Sequence, residues 1–467
     1  PPPLQQDAPK RLSHSNEQTA RLTQGSVPRG LLRLTLPMIL GISSSLVAGL
    51  AETYYISSLG SIPLAALGFT FPVTAALMSI TLGISIGMSS VLARAIGSGT
   101  DEPAHVIATG GMILAGIMML IVSVIGIAFL NPLLVALGTN QVTRALASDY
   151  LLWWFASLFF MALPSVGANA LRATGDAKVS SIIMVSGSIL QIALAPLFVF
   201  GWLGLPELGM PGASVGNFCA RVLVCVATVY ILVNHHQLIR MGQTKIRELV
   251  SIWRRILAVG LPATATNMIG PLSAGLITAL LAQYGQETVA GFGIASRLEG
   301  LVVIPLFALS ASIGPFVGQN WGAKAFLRAN EAMRLTFQWS LLWGAVVAVL
   351  LYLLRYPLIH QFDSTPSVAD VAADYLVILP ISYGAWGIIM MTSAIFNALG
   401  HPLRSTILSI ARMFLIYLPL AYLLSAWLDA VGVFLAAAAA NVIVAIVGYF
   451  WNRSTFGVKL DKEAERA

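Results

Sequence analysis

Residues 64–93 read LAALGFTFPVTAALMSITLGISIGMSSVLA and contain no Asp, Glu, Lys, Arg or His. A helix crosses the hydrocarbon core of a membrane with about 20 consecutive apolar residues, and this stretch exceeds that length. Core segments of soluble proteins are shorter and are bounded by turn residues and charges. The stretch therefore predicts a membrane-spanning helix.

Stretches of the same kind recur along the chain, and we predict twelve of them between residues 31 and 450. Hydrophobic residues make up 57% of the chain and charged residues 10%, whereas about 25% of residues in soluble proteins are charged. The runs are too long and too uniformly apolar for the alternating strands of a membrane barrel. The predicted fold class is an all-α membrane protein with twelve transmembrane helices in two pseudo-symmetric six-helix bundles.

The positive charges are distributed unevenly between the two sides of the predicted membrane. Most of the 26 Lys and Arg residues lie in the tails and in alternate loops, whereas only Arg144 and Arg355 lie in the opposite loops or span ends. By the positive-inside rule, both termini are cytoplasmic and the protein is a multi-pass protein of the cell inner membrane. Topology therefore accounts for the net charge of +7, and we expect no nucleic-acid partner.

The first half of the chain recurs in the second half with a shift of 225 residues. Leu36-Pro37 recurs as Leu261-Pro262, and Gly97 as Gly322, while later in the chain Gly212 recurs as Gly432 with a shift of 220. The predicted organisation is a flexible cytoplasmic tail (1–30), an N-lobe (31–233), a cytoplasmic inter-lobe linker (234–255), a C-lobe (256–451) and a cytoplasmic C-terminal tail (452–467).

Two repeats of six spans enter the membrane from the same side, so an axis along the membrane normal should relate them, with a site between them near the midplane. This organisation favours a secondary transporter over a channel or receptor. A membrane-embedded enzyme would need paired carboxylates, histidine clusters or a nucleophile beside a base, and the spans hold two acidic residues and no mid-span His. We predict that the protein is not an enzyme and uses no metal or cofactor.

Glu52 is the most informative charged residue within a span. Its repeat partner is Ile277, so the carboxylate is not repeated in the second half. A charge at the centre of a membrane helix costs about 2.5–3.5 kcal/mol even on the lenient insertion scale. We interpret Glu52 as a carboxylate that binds and releases a proton as its access to water changes. The alternative is a structural ion pair, for instance with Arg221.

Three further charged residues, Arg221, Arg297 and Glu299, are candidates for a secondary charge network. Their alternative role is structural pairing between neighbouring helices, because residues two apart on a helix, such as Arg297 and Glu299, do not face each other. Arg412 is interpreted as a structural or lipid-head-group contact.

Aromatic residues and prolines supply the remaining candidates. Tyr383, Trp386 and Phe159 are candidate residues of a substrate cavity, because aromatic faces attract flat cations. Pro37 removes a helix hydrogen bond on the same span as Glu52 and is a candidate hinge.

Taken in order, several motifs resemble the multidrug and toxic compound extrusion (MATE) family of bacterial transporters. They run from Leu36-Pro37 to Glu52, through Arg297-Leu298-Glu299, to Gly314-Pro315-Phe316-Val317-Gly318. The resemblance implies twelve helices in two lobes. It also implies an antiport in which H⁺ or Na⁺ enters while organic compounds, often cationic and aromatic, leave.

The resemblance also implies roles for individual residues. Bacterial relatives carry an acidic residue at the place of Glu52, so the role of proton or cation site carries over. The DinF-like branch, to which the chain is closer, has Asn and Asp in span 5 where this chain has Gln191 and Ala195. Asn217 matches a hydroxyl position in span 6, and Gly270 replaces a span 7 glutamate of NorM-like relatives. Fewer carboxylates make a poorer Na⁺ site, so H⁺ is the expected coupling ion and Na⁺ the alternative.

The expected partners are small organic substrates and the lipid bilayer, and we expect the protein to function as a monomer. A lipid-linked oligosaccharide flippase of the wider superfamily is an alternative, which would need additional spans and a strongly cationic central cavity.

Overall fold

A computed structural model describes residues 20–99, 102–240, 245–362 and 365–464, with the exception of the side chains of 458–464. Residues 1–19 of the predicted first tail, 241–244 of the predicted linker and 465–467 of the second tail lie outside the described residues. Within the described ranges the chain forms α-helices with short 3₁₀ and π turns, and it forms no strand.

The described helices account for twelve membrane spans. Nine are long and apolar enough to cross a membrane, or eleven if each of two bent pairs counts as one span. The last of these, Pro402–Gly457, has 56 residues, about 84 Å of helix at 1.5 Å per residue. It breaks at Asp429, where φ is 49°, and therefore contains two spans.

In chain order the spans are α1 (Val27–Ser57), α2 (Ser61–Ser98), α3 (Ala104–Ala128), α4 (Gln141–Ala156 with Leu158–Ala173), α5 (Ala177–Val199), α6 (Met210–His235), α7 (Ile246–Tyr284), α8 (Gln286–Val302 with Ile304–Gly322), α9 (Phe326–Ile359), α10 (Pro366–Ala398), α11 (402–428) and α12 (430–457).

Two spans are bent in the middle. Helix α4 bends by 47° at Ser157, and α8 bends by 46° at Val303, where Pro305 in the following turn cannot donate a backbone hydrogen bond. Helix α10 contains a 3₁₀ turn at Leu379–Ser382. These breaks lie beside the polar side chains described below.

The connection between the two halves differs from the linker expected over 234–255. Helix α6 runs to His235 and α7 begins at Ile246. Arg247, Arg254 and Arg255 therefore lie in the first turns of α7 and not in a loop. At the other end of the chain, the helix that contains α12 continues to Ala464, through most of the tail predicted over 452–467.

The outside of the molecule is apolar. Leu40 is 66% exposed and Leu353 65% exposed, and many other large apolar side chains are similarly uncovered. Soluble proteins seldom expose continuous apolar surface of this extent. Lipid hydrocarbon is the environment in which such a surface is stable.

The two halves interlock at the end of the bundle where the described chain begins, and we call this interlocked end the closed end. Helix α2 packs along α7, and α1 packs along the second part of α8. Val27 and Leu31 of α1 belong to the apolar core built mainly by α8 to α12, whereas Ile252 and Ile256 of α7 belong to the core built mainly by α2 to α6. The exchange is reciprocal, as a repeat of six spans requires.

Candidate functional site

The carboxylate of Glu52 on α1 accepts three hydrogen bonds inside the N-lobe. The Tyr150 hydroxyl of α4 donates to Oε1 at 2.7 Å, and the Asn217 amide of α6 donates to the same oxygen at 2.9 Å. The Gln191 amide of α5 donates to Oε2 at 3.0 Å. The structure therefore brings Glu52, Gln191 and Asn217 together and adds Tyr150, which the sequence analysis did not identify.

Arg221 lies four residues after Asn217, on the same face of α6. Its guanidinium donates to the Ser157 hydroxyl at 2.5 Å and lies 4.1 Å from the centre of the Trp154 ring. Among the described residues it makes no ion pair with Glu52 within 4.0 Å, but the two charges lie close enough to interact. Arg221 therefore supports the charge of Glu52 from a distance instead of neutralising it by contact.

The candidate charge network does not form a single cluster. Arg221 lies in the N-lobe beside Glu52, whereas Glu299 lies in the C-lobe and accepts hydrogen bonds from Tyr375 at 2.7 Å and Tyr383 at 2.8 Å. Arg297 is exposed on the surface of α8. The rotation of 100° per residue along a helix separates Arg297 from Glu299, as their spacing predicts.

A cavity of about 600 Å³ lies between the two lobes. Its wall includes Met38 of α1, Ser89 of α2, Asn267 of α7 and Trp386 of α10. Of the three aromatic residues predicted to line a cavity, Trp386 does so. Tyr383 instead turns its hydroxyl to Glu299, and Phe159 packs against Gly116 of α3.

Two arginines, Arg172 and Arg412, give the cavity its charge. Among the described residues that line it, none is Asp or Glu. Arg412 was interpreted from the sequence as a structural or lipid contact. In the structure it lies on the π-helical turn Ala411–Tyr417 of α11 and lines the cavity.

Three polar atoms of cavity-lining residues have no hydrogen-bond partner among the described residues. Arg172 donates to Asn169 Oδ1 at 2.5 Å and to Ser180 Oγ at 3.3 Å, but its Nε has no partner among the described residues. The Oδ1 of Asn397 and the hydroxyl of Ser405 are buried and likewise without a partner there. Buried polar groups are normally satisfied, but these three atoms are enclosed by the protein, so they are not themselves contacts for a ligand in this conformation.

Pro37 lies within the continuous helix α1. Its carbonyl oxygen accepts a hydrogen bond from the Ser181 hydroxyl of α5 at 2.5 Å, one turn beyond the Arg33 carbonyl that loses its helix partner to the proline ring. That contact ties the α1 backbone to α5 at the position where a bend would occur.

Two repeated six-helix halves around a central cavity, with a hydrogen-bonded carboxylate inside one lobe, define a two-lobe membrane transporter. The MatE family profile matches residues 37–197 and 262–423, one stretch in each half and most of the chain. The protein therefore belongs to the MATE family of transporters, which is not a family of enzymes.

Similar proteins cover nearly the whole chain. A FAD transporter from Shewanella oneidensis is 33% identical over 430 residues, which are 92% of this chain and 95% of the relative. The crystal structure of the Vibrio cholerae MATE transporter VcmN in its bent form is 27% identical with a TM-score of 0.86, covering 95% and 99% of the two chains. An outward-facing multidrug resistance MATE transporter is 26% identical with a TM-score of 0.88, again covering 95% and 99%.

Proposed function

We propose that the protein exports flat organic anions across the bacterial inner membrane in exchange for protons, with both termini in the cytoplasm. The observation that carries this proposal is the charge of the central cavity, whose described lining includes Arg172 and Arg412 and no acidic residue. At an effective dielectric constant of about 20, two like charges 4 Å apart repel by about 4 kcal/mol. Such a cavity repels the organic cations that the family resemblance implies and attracts anions.

The remaining wall suits an aromatic anion. Arginine binds phosphate and carboxylate oxygens through two parallel hydrogen bonds. Trp386 and Phe307 line the same cavity and meet edge to face, with ring centres 6.3 Å apart, so they present an aromatic surface to a flat ring. FAD, named as the cargo of the relative from Shewanella, combines these two features, a pyrophosphate and a flat isoalloxazine ring.

The surroundings of Glu52 favour H⁺ over Na⁺ as the coupling ion. Burial of a carboxylate opposes its charged form, whereas three hydrogen-bond donors and a nearby Arg221 favour it, and such opposing effects allow a proton to bind and leave. A Na⁺ ion would instead have to bind beside the guanidinium of Arg221 and among groups that point hydrogens at the carboxylate. Na⁺ coupling remains the alternative.

A lipid-linked oligosaccharide flippase fits less well. Its cargo also carries a pyrophosphate, which two arginines could hold. However, a cavity of about 600 Å³ falls within the range of about 300–1,000 Å³ that suits small molecules, and an oligosaccharide on a lipid is much larger.

The substrate can be tested in proteoliposomes with a pair of compounds that share one ring system. Flavin mononucleotide and riboflavin differ only by a phosphate, and tetraphenylphosphonium represents the organic cations. We expect a pH gradient to drive transport of flavin mononucleotide and not of riboflavin or the cation. Arg172→Gln and Arg412→Gln should each reduce that transport at least about tenfold, as loss of a charge-assisted hydrogen bond predicts, whereas Arg297→Gln serves as an exposed control. Preferred transport of the cation would refute the proposal.

The coupling ion can be tested in the same vesicles. Glu52→Gln should abolish transport driven by a pH gradient while the protein remains folded and binds flavin mononucleotide. Glu207→Gln, the same change at an exposed position between α5 and α6, should leave transport intact. Transport driven by a Na⁺ gradient at clamped pH, or a fully active Glu52→Gln protein, would contradict proton coupling through Glu52.

A further inference from the structure

The C-lobe contains a carboxylate site of its own. Glu299 of α8 lies next to the bend at Val303, and both tyrosine hydroxyls that it binds donate to a single oxygen, Oε2. Tyr375 is 4% exposed and Tyr383 is 1% exposed. Two hydrogen bonds from fully buried phenols hold the carboxylate in one position within the lobe.

The two carboxylate sites are built from repeat-related residues. The related pairs are Tyr150 with Tyr375 and Ser157 with Ser382 at the shift of 225, and Arg221 with Asn441 at the shift of 220. In each lobe the tyrosine donates a hydrogen bond to the carboxylate. In each lobe the serine hydroxyl also accepts a hydrogen bond, from Arg221 at 2.5 Å in the N-lobe and from Asn441 at 3.0 Å in the C-lobe. The carboxylates themselves come from non-equivalent helices, Glu52 from α1 and Glu299 from α8.

Arg412 connects the C-lobe site to the central cavity. It lines the cavity, and its Nη1 donates to Asn441 Oδ1 at 3.0 Å, while Asn441 donates to Ser382, the residue next to Tyr383. Its charge also interacts with that of Glu299. In the N-lobe the arginine near Glu52, Arg221, is not among the residues that line the cavity.

The charged and titratable groups that face Glu299 are few. Within the described residues they are Tyr375 and Tyr383 from α10, and Arg412 and Tyr417 from α11. Arg412 is the only permanent charge in this group. No ion pair within 4.0 Å joins Arg412 to Glu299 among the described residues, but hydrogen bonds through Asn441 lead from Arg412 to Ser382, the residue next to Tyr383.

We propose that Glu299 is the internal counter-charge of Arg412. An organic anion in the cavity competes with Glu299 for the electrostatic attraction of Arg412, and a proton on Glu299 removes that competition. The ionised carboxylate therefore weakens anion binding and promotes release. This inference rests on the proposed function, because it requires the cavity to bind an anion.

A structural role for Glu299 predicts a different result. A carboxylate that only joins α8 to α10 would leave anion affinity unchanged when replaced by the isosteric Gln, or would lower it by disturbing the fold. Tighter binding in the variant follows only if the negative charge opposes the ligand. The direction of the change therefore separates the two roles.

The test measures FAD binding to the full chain in lipid nanodiscs by calorimetry, because the pyrophosphate of FAD keeps its charge as the pH changes. We expect Glu299→Gln to bind FAD at least about fivefold more tightly than wild type, the lower end of usual coupling between sites. Arg412→Gln should weaken binding. In the Arg412→Gln background the further change Glu299→Gln should have no effect, since the cation that it balances is gone. Glu287→Gln, an exposed glutamate on the first turn of α8, is the matched control.

The wild-type protein offers a second measurement that needs no variant. Its affinity for FAD should increase as the pH is lowered and Glu299 takes up a proton, and its affinity should approach that of Glu299→Gln. Unchanged or weaker FAD binding by a folded Glu299→Gln protein, or a wild-type affinity that does not increase on acidification, would overturn the role of Glu299 while leaving the substrate proposal intact. Absence of FAD and flavin mononucleotide binding to the wild type would overturn both.

Discussion

The hydroxyl group of Tyr150 allows hydrogen bonding to Glu52 to be tested apart from packing inside the N-lobe. Tyr150→Phe removes the donor 2.7 Å from the carboxylate and keeps the ring that packs inside the N-lobe. A hydrogen bond to a charged group contributes about 1.5–3 kcal/mol, so we expect a clear loss of transport driven by a pH gradient and a small change in thermal stability. Transport in proteoliposomes and a fluorescence-monitored melting curve measure the two effects.

The same chemical change at Tyr55 is the control. Its hydroxyl donates to the backbone oxygen of Ile192 at 3.2 Å, in the same lobe, whereas the hydrogen bonds to Glu52 come from Tyr150, Gln191 and Asn217. Tyr55→Phe should transport normally. Equal losses in the two variants would mean that the Tyr150 hydroxyl acts through packing rather than through Glu52.

At this scale the sequence predicted part of the site. Glu52 could be recognised because charges are rare inside membrane spans, and Gln191 and Asn217 because their positions match a known family. Tyr150 could not, since a tyrosine at a span end is also typical of the interfacial belt. Arg172 was predicted only as one of the inner positive charges, and the packing of α4 against α2 and α5 places it in the cavity wall. Glu299 was predicted only as part of a charge network with Arg221 and Arg297. Its likeness to Glu52 was missed because Glu299 lies on a non-equivalent helix, where a comparison at constant shift finds Thr74.

Gly97 and Gly322, which are repeat partners, both lie at the contact between α2 and α8. A methyl group at Gly97 would overlap the carbonyl oxygen of Gln319, and one at Gly322 would overlap the carbonyl oxygen of Arg94. Arg94 and Gln319 are themselves repeat partners at the shift of 225. The two helices therefore approach through a pseudo-symmetric pair of contacts that requires the absence of a side chain.

Gly97→Ala should therefore force α2 away from α8 and open the end of the bundle where the N-terminus lies. Overpacking of a tight contact costs about 1–3 kcal/mol, which the molecule avoids by separating the two helices at the closed end. Access can be measured with a Ser89→Cys probe in the buried cavity wall, after replacement of Cys219 and Cys225 with Ala. A membrane-impermeant maleimide added from the terminal side should label the probe several times faster in the Gly97→Ala protein.

Gly293→Ala is the matched control, because no atom lies within 4 Å of its added methyl group. Alanine is favoured over glycine in a helix by about 1 kcal/mol, so this change should leave labelling unchanged and raise stability slightly. Equal labelling of the two variants would show that the α2–α8 contact does not hold the closed end.

The sequence predicted the helices better than their shapes. Long apolar runs are enough to find twelve spans, because a helix is the only structure that satisfies a single run of backbone in lipid. The bend at Ser157 has no proline beside it and depends on neighbouring helices. The start of α7 at Ile246 was missed because a basic, polar stretch reads as a loop, whereas its apolar face, which includes Ile252, packs on the N-lobe.

At the scale of the whole molecule, the closed end combines apolar packing with polar contacts between the two lobes. Ser90 of α2 donates to the backbone oxygen of Asn397 of α10 at 2.5 Å, and the Gln319 amide donates to the backbone oxygen of Ala173 at 2.5 Å. These bonds link spans of different lobes. Alternating access requires all of them to break together, so each should bias the equilibrium by a small amount.

The ion pair between Glu102 and Arg255 tests this directly. Arg255 of α7 donates at 2.6 Å to the carboxylate of Glu102, which lies just before the start of α3, so the contact joins the two lobes. Exposed pairs contribute about 0.2–1 kcal/mol. In the Ser89→Cys labelling assay, Glu102→Arg should increase access more than Arg255→Glu, because the positive charge of Arg94 already interacts with Arg255 and would attract a glutamate placed there. The double exchange should restore slow labelling.

At 1 M salt, where the screening length is about 3 Å, the differences between the four proteins should largely disappear. Persistence of those differences at high salt, or failure of the double exchange to restore slow labelling, would mean that the two residues act on the closed end by shape rather than by charge.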